Sequence, residues 1–261
     1  LFLQKFDDTE NWKGIYLTEN RRSTKKIIDV FSVLRRSTEK AIVSENRLTT
    51  VPPDTNAEFA ALLGCSLTTA LGLIDNESNL RFGERVAVVG CGGVGLNVIT
   101  AARLRGAGEI YAVDTATAKN ELCLEHGATF FHANVAELPS GIDLVIDTTG
   151  IPEVISEIFL KLSNKGRILL LGQPTPGQSL VFPEALRLFN GTGLSIRASQ
   201  GGSTVPQEDI PRYLELLKLG LISIDKLITH RFNLVDVNLA FETLKSGTAG
   251  RIMINTAKVE K

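Results

Sequence analysis

RVAVVGCGGVGLNVITAARLRGAGEIYAVD, residues 85–114, reads as a strand, a glycine turn, a helix and a second strand ending in an acid. Residues 85–89 are a short β-branched run of the kind buried in a parallel strand, and Gly90, Gly92 and Gly95 complete G-x-G-x-x-G directly after it. Gly90 permits a tight turn, Gly92 keeps a Cβ out of the path of a pyrophosphate, and Gly95 lets the following helix pack close to the strand. A helix over 94–104 would then aim its positive dipole end, and the free N–H groups around Gly92, Gly93, Val94 and Gly95, at phosphate. The second strand ends at Asp114, nineteen residues past Gly95. A carboxylate there can accept both hydroxyls of an adenosine ribose and repel a 2′-phosphate, which predicts NAD over NADP. Without the upstream glycines Asp114 would read as a polar turn residue; with them, the set predicts a dinucleotide site.

The βα alternation continues downstream. Periodicity predicts a helix over 119–126 closed by Gly127, strands at 129–131 and 142–146, a helix over 152–162, a strongly apolar strand at 167–171 and a further strand at 194–198. Six strands with helices between them predict an α/β fold, a doubly wound six-stranded parallel sheet of the Rossmann type, with its ligand crevice at the strands' carboxyl ends. Leu171, Gly172 and Gln173 lie at one such end, where they either line the nicotinamide side or form an ordinary strand exit. After residue 198 the rhythm changes: helices over 211–219 and 235–244 and strands at 227–232 and 251–255 suggest a second layer or domain.

Composition sets outer bounds. The 261 residues are 43% hydrophobic and 22% charged, enough for one large or two unequal domains, and the net charge of −1 gives no electrostatic reason to expect nucleic acid or an anionic membrane as partner. Cys65, Cys91 and Cys123 are too few and too widely spaced for a disulfide framework or a zinc knuckle, and suit reduced thiols in a cytoplasmic protein. No apolar run reaches the length of a membrane span and no signal peptide stands out. The chain begins at Leu1, as a fragment or processed product would.

Further along, AIVSENRLTTVPPD (41–54), AALLGCSLTTALGL (60–73), VAVVGCGGVGLNVI (86–99), DLVIDTTG (143–150), GRILLLGQP (166–174) and LITHRFNLVDVNLAFETLKSGTAGRIMIN (227–255) occur in an order and at separations that resemble the medium-chain dehydrogenase/reductase superfamily, and within it the zinc-type alcohol dehydrogenases. The resemblance implies that Lys119 lies near the adenosine ribose, Arg251 reaches the pyrophosphate, Thr69 packs against the nicotinamide and Thr149 lies near the adenine. It places Cys65 where the family has its third catalytic-zinc ligand, and implies a homodimer or higher homo-oligomer paired through the strand at 194–198. It also divides the chain into a segment of unknown role (1–40), a catalytic-domain remnant (41–66), a Rossmann domain (67–198) and a C-terminal part of the GroES-like catalytic domain (199–261).

The departures carry equal weight. Zinc-dependent members draw a cysteine and a histidine from an N-terminal GroES-like domain, whereas this chain has neither residue before Cys65. Zinc needs three protein ligands and an open position to polarise an alcohol, and one thiolate does not supply them. Zinc is therefore expected from the family but not supported by this chain, and no metal ligands are assigned. His126, His132 and His230 read as structural or surface histidines. Residues 1–40 instead carry nine basic and six acidic residues, with RRST at 21–24 and again at 35–38. That spacing would put both copies on one helix face, leaving open an amphipathic docking helix, a phosphate-binding patch, a disordered stretch or a partner-packed remnant. Two functions follow: hydride transfer between a small-molecule alcohol or carbonyl compound and NAD, or a nucleotide-binding module without catalysis. A third, zinc-independent reduction assisted by Tyr16, Tyr111 or Tyr213, finds little support in where those tyrosines lie.

Overall fold

The computed structural model describes residues 49–255; the RRST repeats and Tyr16 lie outside them. In chain order the elements are α1 (Ala57–Leu63), α2 (Ser66–Gly72), β1 (Arg85–Val89), α3 (Gly93–Leu104), β2 (Glu109–Val113), α4 (Asn120–His126), β3 (Phe130–His132), β4 (Ile142–Asp147), α5 (Pro152–Phe159), β5 (Leu162–Leu170), α6 (Ala185–Thr192), β6 (Ser195–Ala198), α7 (Pro206–Lys218), α8 (Ile224–Leu227), β7 (His230–Asn233), α9 (Val237–Lys245) and β8 (Ile252–Asn255). Six strands form one parallel sheet in the order β3-β2-β1-β4-β5-β6, and β7 and β8 form a separate parallel pair. This is the doubly wound order, with its switch point between β1 and β4.

The two-residue period of a strand explains the layering. Val86 and Val88 of β1 project into one hydrophobic cluster, with Ile99, Ile110, Leu144 and Ile146, while Ala87 and Val89 enter the opposite one, with Val145, Ile158, Phe159 and Ile168. With both faces covered, β1 reads as an unbroken apolar run. Ile210, Tyr213 and Leu214 of α7 join the first cluster, together with Leu67 and Leu71 of α2. The segment after residue 198 thus packs onto the same core as the sheet.

Local chemistry sets the ends of the elements. Asn56 caps α1 by accepting from Glu58 N–H and Phe59 N–H at 2.9 and 3.1 Å. Gly127, at φ +108°, closes α4 in the left-handed conformation. Several boundaries differ from expectation, among them the strand expected at 227–232, which begins only at His230 because Leu227 ends α8. The helix expected over 152–162 stops at Phe159, because Leu162 already pairs with Ile142 at the start of β5. The pairing then jumps from Ile142↔Leu162 to Leu144↔Arg167, so 163–166 bulge out, with Lys165 at φ +63°. Arg167 pins the resumed strand, its guanidinium donating to Ser78 O, Asn79 O, Asp143 O and the Glu84 carboxylate. Finally, α7 starts at Pro206 and runs through Pro211, where the sequence pattern places its start.

Candidate functional site

The site begins where β1 ends. Gly90 turns the chain at φ +88°, and its N–H donates to Val113 O of β2 at 2.8 Å. A Cβ at Gly90 would collide with Thr148 Oγ1, and one on Gly95 would collide with Gly90 O, so both glycines are required by close approach. Gly92 precedes α3 in an extended conformation, and no side chain caps the helix. The first N–H groups of α3, from Gly93, Val94 and Gly95, therefore lack an intrahelical acceptor. A Cβ built on Gly92 meets no atom within 4 Å, so the space beside it is open. This is the shape and polarity of an anion cradle.

Asp114, just past the end of β2, is tied into the same unit. Its Oδ2 accepts from Cys91 N–H of the glycine turn at 2.8 Å and from Lys119 Nζ at 3.0 Å, and its Oδ1 accepts from Ala116 N–H at 2.9 Å. The two charged side chains are only 11% and 9% exposed, so Lys119 is a shielded partner of Asp114 and not a solvated surface charge. Below the turn, contact with Cys123 and burial push the Cys91 thiol well up, which makes it packing and not a nucleophile.

Arg251 faces the cradle from the segment leading into β8. A Cβ at Gly93 would lie 3.1 Å from its Nε and 3.3 Å from its Cζ, so the guanidinium lies against the start of α3. Its Nε is buried without a hydrogen-bond partner among the described residues. Burial holds its pKa below the usual arginine value, opposed by the nearby Cys65. A shielded cation lacking an acceptor is costly, and it sits beside helix N–H groups that also lack acceptors. The residues present fit a pyrophosphate.

On the other side of the switch point, Thr149 and Gly150 follow β4 while Leu171, Gly172 and Gln173 follow β5. Thr148 Oγ1 donates to Gly90 O at 2.7 Å, so the β4 loop rests on the glycine turn, a contact invisible in the sequence. Leu171 N–H and Gly172 N–H both donate to Asp147 O, at 2.8 and 3.0 Å. Those two N–H groups are thus committed within the protein, and the Leu171 side chain packs against the first hydrophobic cluster.

Cys65 is exposed immediately before α2, and Thr69 lies one turn into that helix, half-buried. Among the described residues no three His, Cys, Asp or Glu side chains converge to hold a metal. His126 is buried, with Nδ1 2.9 Å from Thr100 Oγ1 and Nε2 2.9 Å from Lys226 O, and burial pushes its pKa down. His132 Nδ1 lies 3.5 Å from Glu137, and His230 Nδ1 lies 2.9 Å from Thr229 Oγ1. Tyr111 stacks on Phe130 and donates to Glu109, and Tyr213 is buried in the core with its hydroxyl pushed up by desolvation. Catalytic zinc does not fit the described residues.

Comparison with known proteins agrees with this geometry. A family model described as zinc-binding dehydrogenase matches residues 93–218. The chain is 28% identical to S-(hydroxymethyl)glutathione dehydrogenase of Saccharomyces cerevisiae, over 89% of this chain and 64% of that protein. It is 31% identical to an NDMA-dependent alcohol dehydrogenase of Amycolatopsis methanolica, over 80% of this chain and 59% of that protein. Among solved structures, an alcohol dehydrogenase zinc-binding domain protein from Burkholderia ambifaria superposes with a TM-score of 0.75 at 30% identity, over 82% of this chain and 60% of that one. Benzyl alcohol dehydrogenase from Acinetobacter calcoaceticus gives the same TM-score at 27% identity. The chain thus spans between 59% and 64% of the length of these two curated relatives. With its sheet order, glycine turn and sequence all in agreement, residues 93–218 carry the zinc-binding dehydrogenase domain, and the chain is similar to zinc-type alcohol dehydrogenases of the medium-chain dehydrogenase/reductases.

Proposed function

We propose that this chain is the coenzyme-binding part of an NAD-dependent oxidoreductase acting on a small-molecule alcohol or carbonyl compound. The observation that carries the reading is Arg251, whose buried Nε has no partner among the described residues, lying against the uncapped start of α3. In this reading Arg251 and the α3 N–H groups hold the pyrophosphate. Asp114 takes the adenosine ribose, with Thr149 toward the adenine and Thr69 and the 171–173 segment toward the nicotinamide. When bound, the nicotinamide supplies hydride chemistry, and the chain's part is to bind, orient and shield it. NAD is preferred over NADP because a 2′-phosphate would meet the Asp114 carboxylate, while Lys119, the cation that could balance it, is already paired there at 3.0 Å.

A second reading, a nucleotide-binding module without its own catalysis, is favoured by the absence of a metal-holding cluster among the described residues. Fluorescence titration with NADH combined with metal analysis separates the two. Stoichiometric zinc with alcohol turnover supports the enzyme; NADH binding without zinc or turnover supports the module; failure to bind NADH overturns both. We further infer a cytoplasmic homodimer. The free cysteines fit a reducing compartment, and β6 ends the sheet as an edge whose backbone would otherwise stay unpaired. No single helix among the described residues is long and apolar enough to cross a membrane.

A further inference from the structure

Asp147 is fully buried at the carboxyl end of β4, at the switch point of the sheet. Its Oδ1 accepts from Thr149 N–H at 3.1 Å and Thr149 Oγ1 at 2.6 Å, and its Oδ2 accepts from Gly150 N–H at 2.9 Å. Its backbone oxygen accepts from Leu171 and Gly172. One residue therefore holds both loops that flank the crevice. The two loops also touch: a Cβ on Gly150, itself at φ +68°, would lie 2.7 Å from the Gln173 carbonyl carbon, and one on Gly172 would strike Gly150 N. On the other side Thr148, adjacent to Asp147, bonds the Gly90 carbonyl. Any tilt of the 148–150 loop is thus passed to the glycine turn through Thr148 and to the 171–173 wall through Gly150.

We propose that Asp147 is the positioning residue of the coenzyme crevice, its carboxylate setting the 148–150 loop and, through Gly150, the wall at 171–173 that meets the nicotinamide half of the dinucleotide. The proposal rests on the coenzyme reading above. A buried carboxylate that satisfies three donors does more than fill space, since removing one acceptor leaves a buried N–H or O–H without a partner and lets the loop move.

The test uses the full chain and two ligands: NADH followed by its fluorescence, and ADP-ribose, which lacks the nicotinamide, as competitor. Asp147→Asn keeps the size of the side chain but, whichever way its amide turns, points an NH2 at a backbone donor. It is expected to weaken NADH about tenfold and ADP-ribose less, shrinking the advantage of NADH over ADP-ribose. Thr149→Val removes one of the three bonds at constant bulk, and should shift the same ratio in the same direction by a smaller factor. A residue that merely stabilised the fold would lower the melting temperature and leave the ratio unchanged. An unchanged ratio in folded Asp147→Asn overturns the proposal, and Thr149→Val decides in its place if that variant does not fold. Wild type that binds neither ligand overturns the coenzyme reading itself, an outcome distinct from wild type that binds both while the variants match it.

Discussion

Arg251 and Asp114 carry opposite charges on opposite sides of the same turn, and they respond to substitution differently. Arg251 Nε has no acceptor among the described residues, so its shielded charge weighs against the fold until an anion arrives. Arg251→Gln should therefore weaken NADH about tenfold or more while leaving the melting temperature of the unliganded chain unchanged or higher. Paired titration and thermal melts check both halves. Asp114 by contrast already accepts three hydrogen bonds, and Asp114→Ala releases Lys119 from its 3.0 Å pairing. Loss of charge-assisted bonds to the ribose predicts about 10- to 100-fold weaker NADH binding. The freed Lys119 can meet a 2′-phosphate, so the NADH/NADPH preference should narrow or invert; an unchanged preference would remove Asp114 from the site.

At the scale of elements, α5 and α6 are held to the sheet by an aromatic group. Phe159 is 1% exposed, with its ring 4.6 Å from Phe182 and 5.2 Å from Phe189. Phe159→Ala should cost about 3–5 kcal/mol in denaturant unfolding, through lost transfer energy and the cavity left behind. A second joint links α3, α4 and α8 through His126, which bridges Thr100 and Lys226 O and has Glu125 and Lys226 as charged neighbours. Burial lowers its pKa below 6.5, so the folded state takes up its proton only at lower pH than the unfolded state does. This contribution is fully present above pH 6.5 and is lost as pH falls below it toward the depressed folded value. Thermal melts between pH 7.5 and 5 should show stability falling in that window, and His126→Gln should flatten that part of the fall.

Across the whole molecule, β1 and β2 are legible to the residue because β-branched runs abut glycines at Gly90 and Gly108. The beginning of β5 is not, since Leu162 joins the sheet only through its pairing with Ile142 across a bulge, a non-local contact that leaves no local pattern. The start of α7 is not legible either, because two prolines, Pro206 and Pro211, compete for the first helical turn and only the first begins it. In the site, the glycines, Asp114 and Lys119 stand out by spacing and resemblance. Asp147 does not, because an acid at a strand end looks like any turn residue until its three donors are seen around it. A coenzyme diphosphate is expected to span the start of α3 and Arg251, which are far apart in sequence. The most direct measurement is a crystal structure of the chain with NADH. The account predicts diphosphate oxygens about 2.7–3.2 Å from Arg251 Nε and from the first N–H groups of α3; a diphosphate bound elsewhere, with Arg251 still unpartnered, would contradict it.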